Sequence, residues 1–275
     1  MTTIAPIAGS HAIKTVSFGL EWQAPLSEDV LLLLKTLHVK VRDRLPRLTQ
    51  QEAIELQILV SPDPPPQSAP ASPRLAGLKF EALQPNGEPH WSLVIQGNFL
   101  AVTCHVYSRW QEIWPQARGL LAPFVPVLAR ECGIAVIGLQ YTDQFRAIGP
   151  AGTFLAADLW RAGSPLLPAQ VFTLQDLWHA HHGFFEQLDE PRSHRRLNNI
   201  DVDVIAVNQQ HLIQLTTAHR AFLDQQTRDS TELLGGSEDG LLDHFMGELH
   251  QVNKRILRQI LNDAVCHHIN LRVAS

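Results

Sequence analysis

The chain has little of what marks the commoner site chemistries. Its 275 residues hold three cysteines, Cys104, Cys132 and Cys266, far apart and odd in number, with no Cys-x-x-Cys pair. That spacing excludes a zinc ribbon or a disulfide framework as the organising device. Cys104 and Cys266 lie among apolar neighbours and read as small core residues. Glycine-rich phosphate loops and Gly-x-Ser-x-Gly elbows are both missing from the sequence, so nucleotide-loop and hydrolase-elbow chemistry have no motif to rest on. A basic excess is missing too. With 22 Lys and Arg against 27 Asp and Glu the formal charge is −5, which argues against duplex DNA as a partner. Apolar runs break well before membrane-spanning length, and the opening residues lack a charged leader followed by an apolar stretch. No membrane partner and no signal peptide are expected, and the expected location is the cytoplasm.

What is there is ordinary globular material, 45% hydrophobic and 18% charged, in a chain long enough to bury a large core. Residues 13–23 alternate around Val16, Phe18, Leu20 and Trp22, predicting a strand with one buried face. Ser27 then offers an N-cap, with Glu28 and Asp29 at the positive end of a helix dipole. The apolar spacing Val30, Leu33, Leu34, Leu37, Val41, Leu45 predicts a helix running to Pro46. A second strand is predicted over 54–60. Residues 61–77 form a proline-rich surface insertion, with strand sequence resuming around Leu78 and Phe80. Gly97-Asn98 predicts a hairpin turn between strands at 91–96 and 99–107. A helix over 109–132, bent or divided by Pro115, Pro123 and Pro126, leads into a strongly apolar strand over 134–141. Residues 142–168 read as loop with a short helical stretch over 154–160.

Beyond the loop the sequence predicts the same order a second time: a weak strand at 170–172, a helix over 174–188, a hairpin of 200–207 and 211–218, and an acidic loop over 224–236. A last helix over 237–265 opens on Ser237-Glu238-Asp239, the triplet that also opens the first helix, and a strand over 268–273 closes the pattern. Strand, helix, hairpin, helix, strand is the order of a ferredoxin-like unit. The expected fold class is therefore α+β: two halves of mainly antiparallel sheet backed by helices, as tandem ferredoxin-like units. The first half spans 1–148, a linker 149–168, and the second half 169–275. The first half holds more strand-like sequence than that order needs.

Fourteen histidines raise a metal reading. On a helix, His179 and His182 share a face and are candidates for one ion, but zinc needs a further ligand from another element. His244 and Glu248 stand four apart on the last helix without the second pair that a metal-binding helix supplies. The distribution of Asp243 and Glu248 ahead of Lys254, Arg255 and Arg258 already suits the helix dipole. No metal and no cofactor are expected. Lys254, Arg255 and Arg258 form a basic helix face, and Arg192, Arg195 and Arg196 a second basic group, with His194 between. If the two groups meet they make a basic cleft suited to RNA or an acidic protein. No catalytic residue is assigned.

Over most of its length the chain resembles an uncharacterised, sporadically distributed family of prokaryotic proteins of similar length. The resemblance rests on Val16-Ser17-Phe18-Gly19-Leu20-Glu21-Trp22 and the helix ending at Leu45-Pro46, on Leu139-Gln140-Tyr141-Thr142-Asp143-Gln144-Phe145, and on Leu249-His250-Gln251-Val252-Asn253-Lys254. Gln140 and Asp143 depart from it, standing where the family pattern has arginine and asparagine. The resemblance implies no activity or catalytic residue. It implies a bacterial cytoplasmic accessory component, with a defence or toxin–antitoxin role suggested by the patchy distribution. The functional expectation is a non-catalytic protein that docks a protein partner or a second copy through a sheet or helix surface. Trp110, Trp114, Trp160 and Trp178 are the candidate anchors, with at least half expected to be core. RNA binding or processing through the basic cleft is the alternative.

Overall fold

A computed structural model describes residues 3–53, 74–148, 155–174, 177–207, 210–236 and 239–271. The expected mixture of helix and mainly antiparallel strand is what the chain forms, at 30% helical and 44% strand. The strands are β1 (Thr3–Pro6), β2 (Ile13–Glu21), β3 (Arg47–Ala53), β4 (Arg74–Leu83), β5 (Pro89–Gln96), β6 (Phe99–Cys104), β7 (Ile134–Ile148), β8 (Trp178–Leu188), β9 (His194–Val207) and β10 (Gln210–Thr227). They form one ten-stranded sheet in the order β3-β4-β5-β6-β2-β7-β10-β9-β8, with β1 pairing β7 in line with β2. Every pairing is antiparallel. The two sequence halves thus share one sheet, joined where β7 pairs β10 from Ala147↔His211 to Val136↔Phe222.

The helices are α1 (Glu28–Thr36), α2 (Trp110–Leu121), α3 (Val125–Glu131), α4 (Ser230–Leu234), α5 (Leu241–Ile260) and α6 (Asp263–His268). Alternation decides which strand face they cover. Val16, Phe18 and Leu20 of β2 point the same way as Ile137, Leu139 and Tyr141 of β7, and all are buried beneath Leu31 and Leu34 of α1, Trp114 and Leu121 of α2 and Phe245 of α5. Ser27 caps α1 as expected, accepting from the Val30 N–H at 3.4 Å. The helix stops earlier than its apolar spacing predicts. The Thr36 hydroxyl donates to the Leu33 carbonyl at 2.7 Å, and the chain passes through a 3₁₀ turn in which the His38 ring bonds the Leu45 carbonyl at 2.9 Å. Pro123 divides the next helix into α2 and α3, as predicted. In the 97–98 turn only Gly97 has positive φ, at 56°. That is the requirement of a II′ hairpin, with Asn98 free to bond Trp22 through its side chain.

Several expectations give way. Residues 178–188 are the strand β8, not a helix. The loop expected from residue 142 is the continuation of β7 to Ile148, and the loop expected from 224 starts as the end of β10. The weak strand at 170–172 is a 3₁₀ turn. Residues 74–77 of the expected insertion are the start of β4, while the strand predicted over 54–60 and the rest of the insertion lie outside the described residues. So do Ser237 and Glu238. The last helix begins at Leu241 and breaks at Leu261, and α6 occupies the start of the expected closing strand. The described order of the second half is therefore three strands followed by helices. No helix among the described residues is long and apolar enough to cross a membrane.

Beneath α5 the buried core divides in two. One apolar cluster holds Leu139, Ala221, Phe245 and Leu249, and the other holds Phe145, Val202, Leu215, Val252 and Ile256. Between them the inward faces of β9, β10 and β7 carry Arg196, Asn198, Thr217, His219, Tyr141 and Asp143, facing Glu248, His250 and Asn253 of the helix. A buried polar belt thus crosses the sheet under a single helix.

Candidate functional site

The belt has two ends of different construction. At one, Arg196 is 4% exposed and lies between two carboxylates. It donates to Glu186 of the neighbouring strand, from Nε at 3.2 Å and from Nη2 at 2.8 Å, and to Glu248 of α5. Asn198 Nδ2 adds a bond to the same Glu186 oxygen at 2.6 Å. The Glu186 carboxyl is desolvated, but the bonds from Arg196 and Asn198 outweigh that and hold it below its usual range. His219 comes next, with Nδ1 2.8 Å from Asn198 Oδ1 and Nε2 3.2 Å from the Asn253 amide. The Thr217 hydroxyl donates to Asn253. Burial pushes the His219 imidazole down to about 4, so it is neutral at pH 7. This end is filled by the protein's own groups, with Glu248 Oε2 the atom left without a partner among the described residues.

The other end opens into a cavity of about 600 Å³. Its floor is Asp143 on β7, 2% exposed, with Oδ2 lacking any hydrogen-bond partner among the described residues. Burial alone raises the Asp143 carboxyl to about 7, a poised value for a carboxyl at neutral pH. The sheet is irregular at this point. The β2–β7 register shifts between Ile13↔Asp143 and Thr15↔Thr142, so Lys14 is an extra residue, and the turn that joins β1 to β2 crosses the edge of β7 there. Bulges of this kind re-aim side chains beside functional sites. Gln144 N–H donates to Ala12 O at 2.7 Å and Ile7 N–H to Gln144 O at 3.0 Å, fixing the turn that brings His11 to the cavity wall.

The roof is one face of α5, with His250, Asn253, Lys254 and Leu257 at the i, i+3, i+4, i+7 spacing that a helix presents together. Tyr141 Oη and His250 Nδ1 are 2.8 Å apart. The His250 ring stacks on Trp110 at 4.1 Å and 2°, and Trp110 stacks in turn on Trp114 at 6.1 Å. Burial, then the Lys254 charge, pushes His250 down to about 4. Burial also lowers the Lys254 amine and raises the phenols of Tyr107 and Tyr141. The remaining wall comes from the segment between β6 and α2, with Tyr107 and Arg109, and from the residues after α6. There Asn270 has φ 54°, a left-handed helix C-cap that asparagine tolerates. The arrangement can accept a donor at its floor, hold a charge at its wall, and keep His250 neutral and fixed in place.

The predicted site residues fall elsewhere or apart. His179 and His182 alternate to opposite faces of β8: His182 bonds the Leu166 carbonyl at 2.6 Å on the inner face, while His181, two residues from His179 on the outer face, pairs with Asp201. Among the described residues no three His, Cys, Asp or Glu side chains form a metal-sized group. Arg195 points away from Arg196, its guanidinium over Phe185 at 5.6 Å. Arg192 is bound to Thr227 at 2.7 Å and Glu232 at 3.0 Å. Arg255 and Arg258 are exposed on α5, while Lys254 lines the cavity. The second basic group does not present one common face, because Arg196 is bound to two glutamates and Arg195 faces the opposite side of the sheet. Of the tryptophans, Trp114 and Trp160 are buried and Trp110 and Trp178 are half-buried.

Sequence reasoning missed Asp143 as a site residue. The usable signal was Tyr141-Thr142-Asp143, where an acid two residues beyond a buried strand position shares its face. Two of the segments that carry the sequence resemblance meet here, through Tyr141 and His250. Gln140, by contrast, is exposed on the other face. No protein-family model matches the chain, and no curated protein matches it in sequence.

Proposed function

We propose that this protein is a ligand-binding accessory component, non-catalytic, whose site is the cavity between α5 and the sheet. The observation that carries this reading is Asp143, a fully buried carboxyl whose Oδ2 lacks a partner among the described residues, at the floor of a cavity of about 600 Å³. Leaving a buried polar group unmatched costs about 1–3 kcal/mol, and ligand pockets of roughly 300–1,000 Å³ commonly keep a few such groups for orientation. Binding rather than bond-breaking is favoured because two of the groups that could act on a bond are held by the protein, while His11 on the wall, with a buried Nδ1 lacking a partner among the described residues, is a further group open to a ligand. Ser108 Oγ donates to Glu112 at 2.7 Å, and His250 Nδ1 is bonded to Tyr141. A thermal-shift screen against a metabolite library, repeated with Asp143→Asn, tests it. A saturable stabiliser whose effect is lost in the variant is expected; a library without any Asp143-dependent hit contradicts it. A role in a prokaryotic defence or toxin–antitoxin system belongs to the same proposal through the sequence resemblance.

A second reading, self-association, is favoured by β8. This 11-residue strand ends the sheet order, with β9 its only backbone partner among the described residues, and Phe185 is 58% exposed on it. A long uncovered edge pairs readily with a second copy about a two-fold axis. Light scattering over rising concentration, with Phe185→Lys and a Gly183→Pro edge variant, decides it. A dimer abolished by both supports the reading, and a monomer throughout removes it. The first half keeps the strand order β5-β6-β2-β7, which supports ferredoxin-like kinship for that half.

A further inference from the structure

Building on the reading of the cavity as a ligand site, we infer that its occupant is a small organic anion of about mononucleotide size. Its oxyanion meets Lys254 and Arg109, and its far end donates a hydrogen bond to Asp143. Three features of the lining carry this. The charged side chains are unequal in number and in depth: Lys254 and Arg109 line the wall and mouth, and among the described residues Asp143 is the one acidic lining residue, at the floor. Neither Lys254 nor Arg109 makes an ion pair with any of the described residues. In a chain of net charge −5 this positive mouth is local and opposes the overall field.

The Lys254 amine is partly desolvated, and its lowered pKa reports the cost of holding that charge without a counter-ion. An arriving oxyanion relieves that cost. A cationic ligand meets the reverse: two like charges at the entrance, and a carboxyl that burial keeps half-protonated at neutral pH. Between the polar ends, Ile13, Leu257 and Leu271 offer apolar wall for a ligand body. Phosphate monoesters and carboxylates share the required chemistry, an oxyanion separated from an N–H or O–H donor by a flat or apolar spacer.

Calorimetry at pH 7.5 on the full chain tests this with matched probes. The anions are AMP, GMP, CMP, UMP and N-acetyltyrosine, and their neutral counterparts are the four nucleosides and N-acetyltyrosinamide. At least one anion is expected to bind at least tenfold more tightly than its counterpart. Lys254→Met should remove that advantage, and Arg109→Gln should reduce it. Asp143→Leu should weaken both members of the pair alike. Circular dichroism checks that each variant is folded, and Arg109, being exposed, gives a variant that keeps the packing intact. A response confined to the nucleotides identifies the oxyanion as phosphate; one confined to N-acetyltyrosine identifies a carboxylate. Neutral counterparts binding as tightly as the anions, with Asp143 still required, overturn the anion inference while the ligand site stands. Absence of binding by every anion overturns the inference, and the library screen then speaks separately for the site.

Discussion

The closed and open ends of the polar belt are built by the same strands and the same helix, with opposite outcomes. Around Arg196, every guanidinium nitrogen meets a carboxylate and Asn198 links Glu186 to His219, leaving Glu248 Oε2 without a partner among the described residues. Around Asp143, a carboxylate oxygen and a lysine amine are left without partners among the described residues. Burial is not the difference, since Arg196 and Asp143 are 4% and 2% exposed. What differs is completion. A buried polar group completed by the fold specifies how α5 sits on the sheet, whereas one left incomplete beside a cavity is stability given up for something that arrives from outside.

Breaking the closed end should have the largest effect. Arg196→Met leaves Glu186 and Glu248 facing each other across an apolar side chain, and a loss of about 3–5 kcal/mol is expected in urea unfolding. A loss below about 1 kcal/mol would mean that this end is as dispensable as a surface pair. His219→Leu should cost less, about 1–3 kcal/mol, from the amides of Asn198 and Asn253 left without their imidazole partner. The same histidine gives the closed end a pH signature. Its pKa of about 4 when folded lies below the 6.5 of the free side chain, so the unfolded chain takes up the proton first as pH falls. The stability it confers is full above pH 6.5 and disappears between 6.5 and 4, with His250 acting in the same direction. His219→Leu should flatten the acid limb of a stability–pH curve; an unchanged limb contradicts the assignment. Tyr141→Phe, which removes the hydroxyl bonded to His250 and keeps the ring, should cost the least, about 0.5–1.5 kcal/mol. It should also loosen the His250–Trp110 stack, seen as a change in tryptophan emission.

Much of the scaffold was legible because apolar residues alone define it. The alternation in β2, the Ser27 cap, the hairpin at Gly97 and the division at Pro123 all follow from local rules that the tertiary structure respects. The polar belt was not legible, for one physical reason throughout: its partners are distant in sequence. His182 and Glu186 occupy inward positions of β8, and Leu166, Arg196 and Asn198 make polar residues acceptable there. Without those partners, Leu174, Trp178, Phe185 and Leu188 show a helical spacing instead. Arg192, Arg195 and Arg196 look like one solvated basic run, but alternation sends Arg195 and Arg196 to opposite faces of β9 and Glu248, from a helix 52 residues on, neutralises Arg196. Asp143 resembles the end of a strand because an unpaired acid does not belong on a buried face, and the cavity that explains it is completed by four segments besides its own strand.

The most direct test of this contrast is the stability of Asp143→Asn as a function of pH. The folded protein holds a proton on Asp143 up to about pH 7, while the unfolded chain gives it up near 3.8. The stability so conferred is full below 3.8 and is lost as pH rises through 7. If Asp143 is kept for a ligand, the near-isosteric amide should be more stable than the native protein at pH 8, by ~1 kcal/mol or more, and the gain should shrink toward zero at pH 4. A variant less stable than the native protein at pH 8 would show that the carboxylate is held by the fold itself, and that this end of the belt is as closed as the other.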